Sequence, residues 1–145
     1  MTIAATRHPN ETVRILIADD HAAVRLGLRS ELESSPKWEI CGEAENGKEA
    51  IEKVLELKPD LVILDISMPI MSGIEASRQI RRLAPNIKIL LCTMHNSTQL
   101  QLDLIARQAG ADAVLNKSQS VASLKTIVDR LLRISIAYED SNTSS

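Results

Sequence analysis

Short apolar segments alternate with longer amphipathic segments along most of this chain. The short segments are rich in Val, Ile and Leu, which is typical of strands buried on both faces of a parallel sheet, and they span residues 13–18, 38–43, 61–66, 88–93 and 113–116. The longer segments carry apolar residues at helical spacing and span residues 22–33, 48–57, 74–83, 98–109 and 121–136. This alternation predicts an α/β fold in which right-handed crossovers build a (βα)5 doubly wound, five-stranded parallel sheet.

The chain length and the position of its polar segments predict one structured domain. A length of 145 residues corresponds to a single domain. Residues 1–12 are polar and unpatterned, which predicts a flexible N-terminal tail, and residues 137–145 predict a C-terminal linker or tail around a domain of residues 13–136. Proline and glycine residues are expected to separate the elements: Pro36, Gly42, Gly47, Pro59, Pro69, Gly73, Pro85 and Gly110.

The composition excludes some classes of function. The net charge is -2, and one Trp, one Tyr and no Phe give neither a basic surface nor aromatic platforms for nucleic acid, so we expect no direct nucleic-acid binding by this chain. Cys41 and Cys92 lie in apolar segments without the spacing of a metal site. No segment has the apolar core of a signal peptide or the length of a membrane span, which predicts no membrane association and a cytoplasmic location.

Polar residues with related chemistry follow or end four of the five predicted strands. Asp19 and Asp20 follow the first strand, Asp65 lies at the end of the third, Thr93 ends the fourth, and Lys117 follows the fifth. Because ligands of such sheets bind outside the carboxyl ends of the strands, we expect these side chains to meet at one edge of the sheet.

The convergence of three carboxylates has a chemical consequence. Close carboxylates repel one another, and a hard divalent cation with oxygen ligands, Mg²⁺, relieves that repulsion. A carboxylate oxygen beside such a cation can act as a nucleophile on a phosphoryl group, while the cation and a lysine stabilise the charge on the transferring oxygens. The sequence therefore predicts a magnesium-dependent site that accepts a phosphoryl group.

Four segments carry a family resemblance: ILIADDH, LVILDISMPIMSGIEASRQIR, ILLCTMH and GADAVLNKS. In this order they resemble the receiver domains of bacterial response regulators, and DDHAAVRLGL, LDISMPIMSG and TMH resemble the branch that carries a LuxR-type helix-turn-helix output domain. The resemblance covers residues 13–132 and implies a flavodoxin-like sheet with strand order 2-1-3-4-5. It also implies a two-component signalling switch, not an enzyme, in which Asp65 is phosphorylated by a sensor histidine kinase and transcription is regulated in the full-length protein.

The resemblance also assigns roles within the site. Asp20 and Asp65 would bind Mg²⁺ through their side chains, Asp19 would act through a bound water, and the backbone carbonyl of Ser67 would add a ligand. Lys117 would pair with Asp65 at rest and with the phosphoryl group afterwards.

One part of the family pattern differs here. Thr93 would move towards the phosphoryl group and draw the following loop with it, and the family commonly couples this motion to an aromatic residue. This chain has Val114 at the aromatic position and Ala113 where glycine is usual. The expected switch therefore depends on Thr93 and on repacking of residues 95–97.

Several residues also have simpler interpretations. Asp19 and Asp20 could cap the first helix, Thr93 could be an ordinary strand residue and Lys117 a solvated charge. His21 is expected to be a surface residue beside the acidic pair, not a ligand.

The last two helices suggest either a broad buried face or an interaction surface. In the segment 98–109, Leu100 and Leu104 fall nearly opposite Leu102, Ile105 and Ala109. If only one of these sides packs against the sheet, the other leaves an apolar surface for a homodimer or an output domain. The alternative is that the helix has a broad face and that both sets of side chains are buried.

Three other functions are alternatives to the phosphorylated switch. A receiver fold that acts as an interaction module without phosphorylation is motivated by Val114. An aspartyl-phosphate phosphatase would show a D-x-D motif, whereas Asp19 and Asp20 are adjacent, and a flavodoxin would need a phosphate-binding loop that DDHAAV does not provide.

Overall fold

The computed structural model describes residues 12–117 and 124–133, which form an α/β fold around a five-stranded parallel sheet. The strands lie in the order β2-β1-β3-β4-β5, as predicted. The elements are β1 (Val13–Ala18), α1 (Ala22–Leu32), β2 (Trp38–Ala44), α2 (Gly47–Leu57), β3 (Leu61–Asp65), α3 (Gly73–Leu83), β4 (Lys88–Thr93), α4 (Gln99–Ala109) and β5 (Ala113–Asn116). Residues 124–133 are also helical, and this segment is called α5 here.

The strands contribute to two cores because successive side chains point to opposite faces of the sheet. On one face, Leu16 and Leu64 lie in a buried cluster with residues of α2, α3 and α4. On the other face, Ile15 and Ile63 lie in a cluster with residues of α1 and α5. Burial of each such side chain stabilises the fold by roughly 1.5–3 kcal/mol, so the near-continuous apolar strands require helices on both faces.

Helix boundaries follow the local sequence. Asn46, Ser72 and Thr98 each precede a helix and accept a hydrogen bond from the backbone N–H three residues later. Gly110 ends α4 in the left-handed conformation, with φ of 69°. The predicted bounds of these nine elements therefore agree with the observed ones to within one residue at each end.

One of the glycines expected to separate elements does not do so. Gly42 was expected to separate elements, but it lies inside β2, where the pairing with β1 shifts between Ile15 and Leu16. A Cβ at Gly42 would lie 2.6 Å from Leu57 Cδ1, so glycine there serves helix-to-strand packing and not chain termination.

Several predictions fall on residues that are not described. The N-terminal tail (apart from Thr12), the tail at residues 137–145 and the first and last turns predicted for α5 lie outside the described residues. Among the helices of the described part of the chain, none combines the length and apolarity needed to cross a membrane.

Candidate functional site

The carboxyl ends of β1, β3, β4 and β5 lie at one edge of the sheet and bring the predicted residues together. β3 ends at Asp65, which pairs with Cys92, and β4 ends at Thr93, which pairs with Asn116. Asp19 directly follows β1, and Lys117 directly follows β5. Parallel pairing thus fixes the side chains that the sequence placed at the strand ends.

Lys117 joins two buried carboxylates in this site. Its Nζ lies 2.6 Å from Asp19 Oδ2 and 3.2 Å from Asp65 Oδ1. The side chains of Asp19 and Asp65 are 1% and 8% exposed. The predicted pairing of Lys117 with Asp65 is therefore present, but the shorter contact is with Asp19.

Burial and the neighbouring charges perturb both partners of this ion pair. Burial raises the pKa of Asp65, and the negative charge of Asp19 adds to the rise, although the Lys117 ammonium opposes it. Burial alone would lower the pKa of Lys117, but hydrogen bonds and Coulombic attraction from Asp19 and Asp65 outweigh it, and the pKa is raised. Lys117 is consequently held as a cation beside carboxylates that share its charge.

Asp20 and His21 form the exposed side of the same cluster. Ligand atoms of Asp19, Asp20, His21 and Asp65 all lie within 4.8 Å of one another. His21 Nδ1 lies 3.1 Å from Asp20 Oδ1, and the His21 side chain is largely exposed, as the sequence predicted for a residue beside the acidic pair. This edge offers carboxylate oxygens on its open side, which is the donor set that a hard cation prefers.

Asp19 already uses both carboxylate oxygens. Oδ1 accepts a hydrogen bond from the His21 backbone N–H at 2.8 Å, and Oδ2 accepts one from Lys117. The helix α1 begins after His21 without a side-chain cap, so capping does not account for the acidic pair.

Ser67 in the loop after β3 and Gly73 at the start of α3 both lie against Asp65. The Ser67 backbone N–H donates to the Asp65 carboxylate. At Gly73, a Cβ would lie 2.1 Å from the Asp65 carbonyl oxygen, so only glycine allows α3 to begin this close to the end of β3. The role predicted for the carbonyl of Ser67 as a metal ligand stays a prediction.

Thr93 is a buried residue with a defined partner. Its Oγ1 accepts a hydrogen bond from the His95 backbone N–H at 3.1 Å, and the His95 carbonyl accepts one from Asn116 Nδ2 at 3.0 Å. The hydroxyl of Thr93 is therefore connected directly to the loop that was expected to move.

Sequence reasoning missed a second group of charges near the acidic pair. Arg25 donates to the Asp19 backbone carbonyl at 2.5 Å and to Glu43 Oε1 at 2.8 Å, and its side chain is only 12% exposed. Glu43 also accepts from Arg29, and this hydrogen bond, together with the contact from Arg25, lowers the pKa of Glu43. The spacing between α1 and β2 in the sequence gives no signal of this contact, which depends on how α1 crosses the sheet.

The apolar surface of the last two helices is unequally distributed. Leu102 and Ala109 are buried, whereas Leu100 and Leu104 on the other side of α4 are 69% and 46% exposed. In α5 Leu124, Val128 and Leu131 are buried, and Ile127 packs against the same core. The exposed apolar face thus belongs to α4, while the described part of α5 has a broad buried face.

Comparisons with known proteins agree with this geometry. Residues 15–129 match the family model described as "Response regulator receiver domain". The chain is 37% identical over 128 residues to the response regulator protein VraR of Staphylococcus aureus (strain Mu3), which covers 88% of this chain and 60% of that protein. The chain therefore spans about 60% of the length of the curated relatives it matches.

Solved structures give the same result. A LuxR-family two-component response regulator from Aurantimonas sp. SI85-9A1 has a TM-score of 0.79 and 36% identity, covering 85% of this chain and 86% of that one. A CheY-like receiver domain protein from Methanospirillum hungatei JF-1 has a TM-score of 0.78 and 26% identity, covering 88% of this chain and 99% of that one. The fold, the strand-end residues and these matches together place the chain in the response regulator receiver domain family of two-component systems, with LuxR-family neighbours.

Proposed function

We propose that the chain is a phosphorylation-driven signalling switch in which Asp65 accepts a phosphoryl group from a sensor histidine kinase. The observation that carries this proposal is the position of Lys117 Nζ, 2.6 Å from Asp19 and 3.2 Å from Asp65, at the buried end of an acidic cluster. A cation fixed between two carboxylates is arranged for an incoming group that carries negative charge.

The Asp65 carboxylate has the features of a nucleophile for phosphoryl transfer. One of its oxygens attacks phosphorus while the bond to the donor breaks, and the donor leaves with the bonding electron pair. Lys117 is held protonated and can donate to the transferred oxygens without a change in its own charge. The Ser67 N–H, which already donates to the carboxylate, orients it at the end of β3.

The donor set fits Mg²⁺. Asp20 and Asp65 would hold the ion through carboxylate oxygens, the carbonyl of Ser67 would add a ligand, and Asp19 would act through water because Lys117 and the His21 amide occupy its oxygens. When bound, the ion neutralises charge on the carboxylates and on the phosphoryl oxygens. His21 brings a nitrogen ligand that Mg²⁺ does not favour, so we assign it no ligand role.

Readout is proposed to pass through Thr93. Its Oγ1 now accepts from the His95 N–H, which leaves the hydroxyl hydrogen available to a phosphoryl oxygen on Asp65. A shift of Thr93 towards that oxygen would either break its hydrogen bond to the His95 N–H or move the loop of residues 95–97 and the start of α4 with it. Val114 packs against the core and offers no polar tip that could take part.

The proposed output is a change in the surface of α4. Leu100 and Leu104 are exposed there, and we propose that the phosphorylated domain, residues 13–136, forms a homodimer through the last two helices. The full-length protein is proposed to be a cytoplasmic regulator of transcription that contacts DNA only through an output domain of the LuxR type. Within it, this domain acts as a signalling switch and not as a turnover enzyme.

The proposal is tested by labelling with acetyl phosphate. We expect intact-protein mass spectrometry to detect one phosphoryl group with Mg²⁺ and none with EDTA, and Asp65→Asn to abolish the labelling. Asp103→Asn is the matched control, because Asp103 is an exposed carboxylate on α4 whose Oδ1 accepts a hydrogen bond from Gln99 Nε2. A folded wild-type protein that is not labelled, or an Asp65→Asn variant labelled as well as the wild type, would contradict the proposal.

The second candidate function is an interaction module that works without phosphorylation. The packed Val114, which replaces the usual aromatic residue, favours it. The two candidates differ in the response to beryllofluoride with Mg²⁺, which mimics the phosphoryl group. A change in oligomeric state when beryllofluoride binds supports the switch. Binding of beryllofluoride without any change in shape or association supports the module.

A further inference from the structure

Arg25 joins three elements of the fold at the peptide that leads into Asp20. Its Nη1 donates to the Asp19 carbonyl at 2.5 Å, and its Nε donates to Glu43 Oε1 at 2.8 Å. Arg25 lies on α1, Asp19 directly follows β1, and Glu43 lies on β2. The Arg25 side chain is only 12% exposed, so both hydrogen bonds are stronger than they would be in open solvent.

The bond to the Asp19 carbonyl fixes the direction in which the chain enters Asp20. This carbonyl and the Asp20 N–H belong to one planar peptide unit, so a donor to the carbonyl orients both. The backbone is also held on either side: the Asp19 N–H donates to the Ala44 carbonyl at 3.0 Å, and the His21 carbonyl accepts from the Arg25 N–H at 3.1 Å. Asp20 lies between these contacts in a bend, and α1 begins after His21 without a side-chain cap.

Glu43 holds the guanidinium group in this position. Arg29 Nη2 donates to Glu43 Oε2 at 2.6 Å and leaves Oε1 to Arg25. The hydrogen bond from Arg29, with a smaller contribution from Arg25, lowers the pKa of Glu43, so the carboxylate stays ionised at neutral pH. Through this bridge β2, whose described residues include no member of the acidic cluster, is connected to the turn that carries Asp20.

The charge of Arg25 and its position have opposite effects on a cation bound at the acidic cluster. On charge alone, a guanidinium beside this turn disfavours Mg²⁺, but Glu43 offsets much of that charge. As a hydrogen-bond donor, Arg25 instead orients Asp20, one of the two carboxylates proposed to hold the ion. Contacts that orient metal ligands typically change metal affinity by roughly 10- to 100-fold, so we expect the effect of position to be the larger one.

We infer that Arg25 is a positioning residue for the Mg²⁺ site: held by Glu43, it orients the peptide between Asp19 and Asp20 so that the Asp20 carboxylate can bind the ion. The inference rests on the proposed function and deepens it, because the Mg²⁺ ligands belong to that proposal. Arg25 acts through the backbone, so it sets the affinity for Mg²⁺ and not the rate of phosphoryl transfer once the ion is bound.

Titration with MgCl₂, followed by the backbone amide shifts in NMR spectra, tests the inference without a phosphodonor. Arg25→Met keeps an unbranched stem and removes every donor, and it is expected to weaken Mg²⁺ binding by about tenfold or more. Arg25→Lys keeps the charge but loses the planar fork that reaches both acceptors, and it is expected to weaken binding by about threefold.

Labelling by acetyl phosphate gives a second measurement. In Arg25→Met the Mg²⁺ concentration for half-maximal labelling is expected to rise by the same factor as the dissociation constant. The labelling rate at saturating Mg²⁺ is expected to stay within about threefold of the wild type, because the groups at Asp65 are unchanged.

Arg29→Met is the matched control. It removes a cation from the same carboxylate, but the described hydrogen bonds of Arg29 go to Glu43 and Glu33 and not to Asp19. Its Mg²⁺ affinity is expected to stay within about twofold of the wild type. Urea unfolding in EDTA shows which variants are folded, and Arg25→Lys decides the question if Arg25→Met is not.

Three outcomes would overturn the inference. They are Mg²⁺ binding by folded Arg25→Met that is as tight as in the wild type or tighter, equal weakening by Arg29→Met, and wild-type affinity in Arg25→Lys. A folded wild-type protein that binds no Mg²⁺ would instead contradict the proposed function itself, and the inference with it.

Discussion

Replacement of Lys117 by methionine tests whether this residue stabilises the acidic cluster. Methionine keeps an unbranched apolar stem and removes the ammonium, which lies 2.6 Å from Asp19 and 3.2 Å from Asp65. Asp19 is 1% exposed, so it would lose its closest cationic partner in a site that water barely reaches.

The size of the effect follows from this burial. Removal of one partner from a buried ion pair typically costs about 3–5 kcal/mol because the other charge is left uncompensated. Since Asp20 and His21 open this cluster to solvent on one side, we expect the lower end, about 3 kcal/mol, in EDTA at neutral pH. The unfolding equilibrium constant would rise by roughly a hundredfold.

Urea unfolding followed by circular dichroism measures this change. Lys125→Met is the matched control: its ammonium is 3.9 Å from Glu31 and its side chain is 39% exposed, so its loss should cost less than about 1 kcal/mol. The cost of Lys117→Met should shrink in acid, where Asp65, whose pKa is raised by burial, is protonated, and also when Mg²⁺ is added. Equal costs for the two variants in EDTA would refute the account of the site.

Three further predictions concern the acceptor, its loop and the surface of α4. Burial raises the pKa of Asp65, so folding favours its protonated form, and the contribution of Asp65 to the stability in EDTA should fall as the pH rises from 3.8 through the folded pKa. Asp65→Asn should therefore be more stable than the wild type at neutral pH, with the difference lost below pH 3.8, as measured by urea unfolding at several pH values. Gly73→Ala should lower the free energy of unfolding by about 1–3 kcal/mol in the same assay, because its Cβ would lie 2.1 Å from the Asp65 carbonyl oxygen. Leu104→Glu should prevent beryllofluoride-induced dimers in light scattering and leave urea unfolding within about 0.5 kcal/mol, because Leu104 is 46% exposed; a variant that still dimerises would contradict the role of α4.

The sequence predicts the fold well because the apolar residues of its short segments and of its longer segments follow clearly different patterns. The strands are nearly uninterrupted apolar runs that need cover on both faces, and the intervening segments have a helical period, so a parallel doubly wound sheet satisfies both. Local signals such as Asn46, Ser72 and Gly110 then set helix ends to within a residue. The error at Gly42 arose because close helix packing, which a sequence does not display, can also require glycine.

The site is only partly predictable for a related reason. Strand ends place Asp65, Thr93 and Lys117 at one edge, but which carboxylate lies nearer Lys117 depends on side-chain conformations fixed by packing. Arg25 reaches Asp19 and Glu43 only through the crossing of α1 over the sheet.

The position of the phosphoryl group tests the central claim most directly. Borohydride reduction of the acetyl-phosphate-labelled protein converts an acyl phosphate into an alcohol, and peptide mass spectrometry then identifies the residue that carried it. The account predicts homoserine in place of Asp65 and unmodified Asp19 and Asp20. Reduction at Asp19 or Asp20, or a stable phosphoryl group on a serine, threonine or histidine, would contradict it.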